Sequence, residues 1–384
     1  MKHRILAGAV VSLLMAGTVI GAGPARATAA AEPSADTVMA LPAPGGRQPI
    51  GRSVIHLKDD SRADPWVPGT RRELMVSLWY PAGRPSGVPA PYMTGKESEL
   101  YVKENADLLA RHGVVLPADA FTKVATHATV DAPPVRTRGG LPLVLLSPGF
   151  GMPRATLTGL AEELAGRGYA VAGIGHDHES SVTSFPDGHT TTCDACGKAP
   201  WPTVGAVRAQ DVSFVLDRLT GRDPVWGNGT LIDTDRVAMV GHSAGGFSTI
   251  PAMLSDPRIK AGVDMDGNFH VLPDRPLDRP LLMLGRPGHV PGGDDATWEK
   301  TWGMTTGWKR WLTVDGTQHL SFTDLAVLTK QLRVPFQPLD GDRADAATRA
   351  YVSAFIGTHL GRGGASPLLD GPSPRFPEVR FHQP

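Results

Sequence analysis

The chain has 384 residues, of which 41% are hydrophobic and 20% are charged, and these values are typical of a globular protein. Its 38 lysine and arginine residues balance its 38 aspartate and glutamate residues, which excludes a general electrostatic affinity for nucleic acid or for an anionic membrane surface. The length suits one large domain or two modest ones.

The N-terminal stretch has the pattern of a secretory signal. A positive region at residues 2–4 precedes an apolar or small run at residues 5–20, and residues 25–27 read Ala-Arg-Ala, an A-x-A cleavage site. A second site of small residues follows at 29–31. A membrane anchor is the alternative, but the apolar run is short and diluted with glycine and alanine. We predict that residues 1–31 are a signal peptide and leader, and that the mature protein is secreted and has no transmembrane segment.

The first predicted elements are two strands, at residues 52–57 and 73–80. Residues 84–140 are weakly patterned, with helical periodicity at 96–111 and 118–125. A segment of this kind roofs the active site in some folds and is a plain surface excursion in others, so both interpretations stay open.

From residue 141 onward, predicted strands and helices alternate. The predicted strands are 141–146, 169–174, 237–240, 261–265, 280–284 and 309–314. The predicted helices are 154–167, 205–219, 322–331 and 343–359. This alternation indicates an α/β protein with a doubly wound, mainly parallel sheet and with its sites at the strand C-termini. We predict one domain over residues 46–360 and a Pro/Gly-rich tail, residues 361–384, extended on the surface.

The loop after the strand at 169–174 holds two notable features. Residues 176–179 read His-Asp-His-Glu, which are four potential metal ligands. Adjacent residues on an extended loop point in different directions, so we predict no metal and place this segment at the rim of the active site. Cys193 and Cys196 are the only cysteines. In an exported chain they are expected to form a disulfide. A redox-active C-x-x-C pair is the weaker alternative, and zinc would need two further ligands.

Ser243 has the setting of a nucleophile. It lies between a predicted strand and a predicted helix, within a G-x-S-x-G pentapeptide that runs from Gly241 to Gly245. That context is typical of the nucleophile elbow of the α/β-hydrolase fold. The glycines are required because a Cβ at either position would crowd the strained turn. The alternative is a glycine-rich turn whose serine merely caps the helix. We predict Ser243 as nucleophile and the N–H of Ala244 as an oxyanion donor.

A serine nucleophile needs a histidine base, and in this fold the chain order is serine, acid, histidine. Four histidines follow Ser243 before the predicted tail: His270, His289, His319 and His359. His319 lies in the turn after the last predicted strand, where the base belongs, and we predict that it is the base.

The acid has two possible positions. Asp266 ends the predicted strand that follows the elbow helix, and Asp294 and Asp295 lie in the loop after the next strand. Asp264 shares the strand face of Asp266 but lies deeper, which makes it a weaker candidate. Position alone leaves Asp266 and the later pair open.

The second oxyanion donor is expected in the loop after the strand at 141–146. Residues 147–151 read Ser-Pro-Gly-Phe-Gly. Their glycines let the main chain turn close to a substrate, and we predict the N–H of Phe150 as the donor. A simple tight turn is the alternative.

Five segments together resemble the secreted platelet-activating-factor acetylhydrolase family. They are LLSPGFG, LAGRGYAVAGIGHDHES, GHSAGGFST, GVDMDGN and DGTQHLSFTD, and they keep the family's order between residues 73 and 325. The resemblance implies Ser243 as nucleophile, His319 as base and Asp266 as acid, with Phe150 and Ala244 as oxyanion donors. It implies no cofactor and no metal.

The expected activity is therefore that of a secreted serine esterase acting on short-acyl esters of small molecules or lipids. Acetyl esters of phospholipid-like molecules are the substrates that the resemblance implies. Two features depart from the family: Pro148 replaces a histidine, and the segment with Cys193 and Cys196 is an insertion. Since Pro148 also resembles the loop of cutinase-like enzymes, a cutinase- or lipase-like polyester hydrolase is the alternative. A catalytically silent binding module on the same scaffold is the alternative from another class.

Overall fold

A single mixed sheet organises the chain. The computed structural model describes residues 39–84, 87–361 and 365–384. In those residues, ten strands join in the main sheet and two more form a small separate ribbon. The predicted signal peptide and leader, residues 1–31, lie outside the described residues.

The strands of the main sheet bring one set of carboxyl ends to a common edge. In chain order the strands are β1 (Ile50–Ala63), β2 (Arg71–Pro81), β3 (Ala128–Val130), β4 (Leu141–Ser147), β5 (Ala170–His176), β6 (Thr183–Ser184), β7 (Thr190–Thr191), β8 (Ile232–His242), β9 (Ile259–Met265), β10 (Leu281–Gly285), β11 (Lys309–Val314) and β12 (Val379–His382). The spatial order is β12-β11-β10-β9-β8-β4-β5-β2-β1-β3, with β6 and β7 forming the ribbon. The strands from β11 to β5 in this order are parallel, whereas β2 and β12 run antiparallel to their neighbours β5 and β11. Loops that leave the parallel strands at this edge can meet in one site.

Helices cover both faces of the sheet. They are α1 (Gly95–Arg111), α2 (Thr158–Gly166), α3 (Trp201–Thr220), α4 (Ala244–Phe247), α5 (Thr249–Ser255), α6 (Ala296–Met304), α7 (Leu325–Gln331) and α8 (Gly341–His359). The apolar side chains of α3 and α5 pack into the core on one face, and those of α2 and α8 pack into the core on the other. The predicted doubly wound α/β fold is confirmed.

Strand β4 shows why the sequence produces this arrangement. Leu141, Leu143 and Leu145 face the α3 side of the sheet, whereas Val144 and Leu146 face the α8 side. All five are buried. A strand covered on both faces needs apolar residues at every position, and the continuous apolar run of β4 meets that requirement.

Residues 87–140 form an excursion with a hydrophobic cluster of its own. Helix α1 begins at Thr94, whose side chain accepts from the N–H of Glu97 in a capping box. In this hydrophobic cluster, Tyr101 of α1 packs with Phe121 and with Leu328 of α7. The helix predicted at 118–125 is only a 3₁₀ turn, since so short a stretch does not repay helix nucleation.

The end of the chain is built into the sheet. Val379–His382 form β12, which pairs with β11, and Leu369 and Phe376 are buried in the α8-side core. The expectation of an extended surface tail over residues 361–384 is therefore wrong for these residues. Proline and glycine predict an exposed tail, but the apolar side chains between them bury enough surface to hold the segment in place.

No helix in the described part of the chain combines the length and the apolar character needed to cross a membrane.

Candidate active site

The turn between β8 and α4 holds Ser243 in a strained conformation. Its φ is 54°, a region that residues with a side chain rarely occupy. A Cβ on Gly241 would lie 2.0 Å from the carbonyl oxygen of Gly245, and one on Gly245 would lie 2.0 Å from the carbonyl oxygen of Ser147. Only glycine fits at both positions, as the sequence predicts. Strain of this kind is found at functional sites, where the surrounding structure maintains it.

Ser243, His319 and Asp266 form a continuous hydrogen-bonded relay. The hydroxyl of Ser243 lies 2.8 Å from Nε2 of His319, and Nδ1 of His319 lies 2.6 Å from Oδ2 of Asp266. The bond to a carboxylate places the ring proton on Nδ1, which leaves Nε2 free to accept the hydroxyl proton. The side chain of His319 is 45% exposed whereas that of Asp266 is 0% exposed. His319 is therefore accessible from solvent, while Asp266 is shielded from it.

The other acidic candidates have different partners. Asp264 is buried, and its Oδ1 accepts the N–H of Gly267 at 3.0 Å. Burial raises the pKa of Asp264 well above its ordinary value, which disfavours the carboxylate form. Asp295 caps helix α6 by accepting the N–H of Thr297, and Asp294 is exposed. Of the four predicted acids, the structure brings only Asp266 to His319.

A second histidine holds the other oxygen of the acid. Nδ1 of His289 lies 2.8 Å from Oδ1 of Asp266, which also accepts the N–H of Arg286 at 2.8 Å. Nε2 of His289 lies 3.2 Å from Oδ1 of Asn268 and 3.6 Å from Oδ2 of Asp295. The ring is buried and stacks on Trp298 with centroids 4.2 Å apart. Asp266 is therefore fixed on both of its oxygens.

His289 and Asp266 each stabilise the charged form of the other. Burial lowers the pKa of His289, but the hydrogen bond and charge of Asp266, together with the carboxyl of Asp295, outweigh it and raise the pKa to about 9. Burial likewise opposes ionisation of Asp266, but its hydrogen bonds to His289 and His319 hold its pKa well below the usual range. At neutral pH a cationic His289 thus stabilises the anionic acid.

We expect His289→Gln to remove a pH-dependent part of the stability. Because the pKa of His289 is raised, its contribution to the free energy of unfolding is complete below the ordinary histidine value of about 6.5 and is lost as pH rises through about 9. Melting curves should show the wild type losing its stability advantage over the variant across that interval. An advantage that stays constant from neutral pH to about pH 10 would contradict the assignment of this charge.

His242, directly before Ser243, holds the main chain of His319 in place. Its Nε2–H donates to the carbonyl oxygen of His319 at 2.8 Å. Burial, followed by the charge of His319, lowers the pKa of His242 to about 3. A neutral ring therefore fixes the main chain at His319 and adds no positive charge beside the base.

Two backbone amides point to an oxyanion hole. Ala244 is the first residue of α4, where an N–H has no acceptor within the helix. The N–H of Phe150 donates to no other residue in the described parts of the chain. Gly149 is required in this loop, because a Cβ there would lie 2.7 Å from the sulfur of Met152 and 3.0 Å from Nδ1 of His242. The loop therefore passes directly over the histidine that precedes Ser243.

Buried charges hold the loop at residues 148–151 in place. The guanidinium of Arg208 donates to the carbonyl oxygen of Pro148 and to Glu179, the latter at 2.7 Å. The carbonyl oxygen of Glu179 accepts the N–H of Gly151 at 2.7 Å. Arg208 and Glu179 are each only 1% exposed. Arg208 therefore holds the loop at Pro148, and Glu179 holds it at Gly151. The main chain of Phe150, between them, is fixed although its own N–H makes no hydrogen bond in the described residues.

A second Ser-His-Asp relay lies beneath this loop. The hydroxyl of Ser147 is 2.9 Å from Nε2 of His176, whose Nδ1 is 2.8 Å from Oδ2 of Asp211. All three residues are buried, and Arg72 binds Asp211 at 2.6 Å. A fully buried serine cannot meet a substrate, so this relay anchors the loop. His176 and Glu179 therefore lie beneath the site, and the expectation that residues 176–179 form its rim is wrong for them.

The predicted disulfide between Cys193 and Cys196 is present. The sulfur of Cys196 lies 3.8 Å from the position that a Cβ on Gly151 would occupy. The disulfide segment therefore packs against the loop that holds Phe150, and it leads directly into α3.

One group of residues has metal-ligand geometry. Asp64, Asp177 and His178 bring potential ligand atoms within 4.8 Å of one another. However, Asp64 accepts from Arg72 at 3.0 Å, and Asp177 accepts from the hydroxyl of Thr191. The carboxylates have protein partners, and we assign no metal to them.

Two residues of the site have roles that the sequence does not predict. His289 follows the parallel strand β10 and so lies at the edge of the sheet where Asp266 lies. Arg208 is four residues before the inward-facing Val212 on helix α3. A charged residue on the buried stripe of a helix is a detectable signal of a structural or functional ion pair.

Known proteins resemble this chain in sequence and in fold. The family model described as "Platelet-activating factor acetylhydrolase, isoform II" matches residues 40–195 and 229–353. A probable 1-alkyl-2-acetylglycerophosphocholine esterase of Arthroderma benhamiae is 27% identical, and the alignment covers 96% of this chain and 100% of that protein. A solved ferulic acid esterase from Streptomyces cinnamoneus is 39% identical with a TM-score of 0.79, over 90% of this chain and 100% of that one. A bis(hydroxyethyl) terephthalate hydrolase of Streptomyces coelicolor is 28% identical over 44% of each chain.

Proposed function

The chain belongs to the platelet-activating factor acetylhydrolase isoform II family of ester hydrolases, and we propose that Ser243, His319 and Asp266 are its catalytic triad. The observation that carries the proposal is the relay from the strained Ser243 through the exposed His319 to the buried Asp266. Phe150 and Ala244 are proposed as the oxyanion donors, because Ala244 begins α4 directly after Ser243 and the N–H of Phe150 donates to no residue in the described parts of the chain.

In the proposed mechanism, Oγ of Ser243 attacks the ester carbonyl while Nε2 of His319 takes the hydroxyl proton. The carbonyl oxygen becomes an oxyanion, which the N–H groups of Phe150 and Ala244 stabilise. Asp266 stabilises the imidazolium of His319. The bond to the alcohol then breaks as His319 donates its proton to the leaving oxygen. Water, deprotonated by His319, attacks the acyl-enzyme and releases the carboxylic acid, which restores Ser243.

We propose short-acyl esters as the substrates, including acetyl esters of phospholipid-like molecules. Support comes from the full-length relative named as an alkylacetylglycerophosphocholine esterase. Esters of aromatic acids are the second candidate. The ferulic acid esterase and the terephthalate ester hydrolase support it, since both names describe esters of aromatic acids.

The test is a panel of p-nitrophenyl esters from acetate to decanoate, together with an acetylated ether phospholipid and methyl ferulate. We expect kcat/KM to be highest for the shortest alkyl acyl groups and to fall by about tenfold or more across the series, since the full-length relative is named for an acetyl ester. A fluorophosphonate probe should label Ser243. An unlabelled serine would favour the binding-module alternative, and preferred erosion of a solid polyester would favour the cutinase-like one.

Secretion and domain limits complete the proposal. The signal-like pattern of residues 1–31 supports export and cleavage, which the intact mass of protein recovered from the medium would test. We place the hydrolase domain at residues 46–360, with β12 added to its sheet from the segment at 361–384.

A further inference from the structure

Trp201 is exposed in a way that the rest of the fold does not require. Its side chain is 39% exposed, and it is the one tryptophan, tyrosine or phenylalanine classed as exposed in residues 39–84, 87–361 and 365–384. It is the first residue of α3, directly after the disulfide segment and Pro200. Large aromatic rings usually bury most of their surface, so an exposed one beside a catalytic turn indicates a binding surface.

The ring of Trp201 lies among side chains from three parts of the active site. It stacks on the ring of His270 with centroids 4.8 Å apart and planes 5° apart. It meets Phe150 of the oxyanion loop edge to face at 5.3 Å, and Phe247 of α4 at 6.2 Å. We call the surface formed by Trp201, His270 and Phe150 the aromatic platform.

The aromatic platform lies close to Ser243, because Phe247, which contacts Trp201, is in the helical turn that follows Ser243. The N–H of Phe247 donates to the carbonyl oxygen of Ser243 at 3.0 Å, so Phe247 lies one helical turn from the nucleophile. Gly205, one turn after Trp201, allows α3 to approach this turn, since a Cβ there would lie 2.9 Å from the ring of Phe247. The platform is therefore continuous with the turn that presents Ser243.

The position of the proton donor indicates which half of an ester contacts the aromatic platform. The leaving alcohol must lie beside Nε2 of His319, which donates its proton. The only ring contact of His319 in the described residues is with His242, so His319 adjoins none of the platform rings. Phe150, in contrast, supplies the proposed oxyanion N–H and has its ring in the platform. The acyl substituent, which leaves the carbonyl away from the alcohol, is thus directed toward the platform.

The character of the platform favours a planar, uncharged group. Burial lowers the pKa of His270 below its ordinary value, with the charge of Asp295 acting against this. A neutral imidazole stacked on an indole presents flat faces and ring edges, and these bind aromatic groups in stacked or edge-to-face geometry. A flexible alkyl chain gains only apolar burial from the same surface.

We propose that the aromatic platform binds an aromatic ring in the acyl half of the substrate, so that the enzyme cleaves esters of planar aryl-substituted acids. This inference rests on the proposed function, since it assumes attack by Ser243 on the ester carbonyl. It assigns a specificity to Trp201 and His270, which take no part in the chemical steps.

The test compares two esters of one alcohol. Trp201→Ala should lower kcat/KM for methyl cinnamate by about fivefold or more, the value of an aromatic pair, and leave methyl butanoate within about twofold. Trp201→Phe should retain most of the activity on methyl cinnamate because it keeps a ring. Val115→Ala, which shortens a side chain that is 87% exposed outside the platform, should change neither substrate.

A second pair tests the side of the ester. Benzyl acetate carries its ring in the alcohol, so Trp201→Ala should leave the kcat/KM for benzyl acetate relative to ethyl acetate unchanged. An equal loss on both methyl esters, or a loss on benzyl acetate in place of methyl cinnamate, would overturn the proposal. So would a wild-type enzyme that cleaves methyl butanoate and leaves methyl cinnamate intact. Failure of the proposed function itself is separate, because then fluorophosphonate would not label Ser243 and no ester would be cleaved.

Discussion

Ser243→Ala should lose esterase turnover by a factor on the order of 10⁶ in kcat, the size of loss seen when the nucleophile of a serine hydrolase is removed. The substitution deletes Oγ, which is both the proposed attacking atom and the partner of His319 Nε2 at 2.8 Å. It keeps the Cβ and therefore the strained backbone at φ 54°. The measurement that tests this is kcat on p-nitrophenyl acetate.

The fold should survive this change. Alanine removes one hydrogen bond at a half-buried position, so the melting temperature should stay within about 2 °C of the wild type. Fluorophosphonate labelling should disappear at the same time. A variant that keeps its turnover would show that another group attacks the ester. The buried Ser147 offers a matched control, because Ser147→Ala should lower stability and leave labelling of Ser243 in place.

Asp266→Asn should lower kcat by a factor on the order of 10⁴, by analogy with serine proteases. An amide of the same shape no longer stabilises the imidazolium of His319, and it favours the wrong ring tautomer. The loss should appear in kcat more than in KM, since the side chain of Asp266 is fully buried and offers no surface to a bound substrate.

The later acids provide the contrast. Asp294→Asn and Asp295→Asn should stay within about tenfold of the wild type, because Asp294 is exposed and Asp295 caps α6 through an oxygen that asparagine also offers. The reverse order of effects would move the acid to the later loop and weaken the assignment of Asp266.

The elements that a local pattern determines are predicted well. The glycines around Ser243 can be predicted from sequence because they belong to one five-residue pattern, although the close contact at Gly245 is with Ser147 of β4. The doubly wound sheet can be predicted because runs such as β4 are apolar on both faces.

Contacts between residues far apart in the chain are predicted poorly. His289 reaches Asp266 across 23 positions, and Arg208 reaches Pro148 across 60. No short pattern encodes either contact. The C-terminal strand is also predicted poorly. β12 has only four residues, so its alternating pattern is a weaker signal than the surrounding prolines and glycines. The family resemblance, in contrast, selects Asp266 where position alone leaves the acid open.

The position of β12 limits how the C-terminus of this enzyme can be modified. Nε2 of His382 donates to the hydroxyl of Thr313 at 2.9 Å, and that hydroxyl donates to the carbonyl oxygen of His289 at 2.6 Å. An affinity tag or surface linker fused directly after Pro384 would therefore begin two residues from a strand that is connected to the acid's partner. Shortening the chain before Val379 would uncover the edge of β11, and an uncovered edge invites aggregation. Immobilisation through an exposed side chain of α1 avoids both problems.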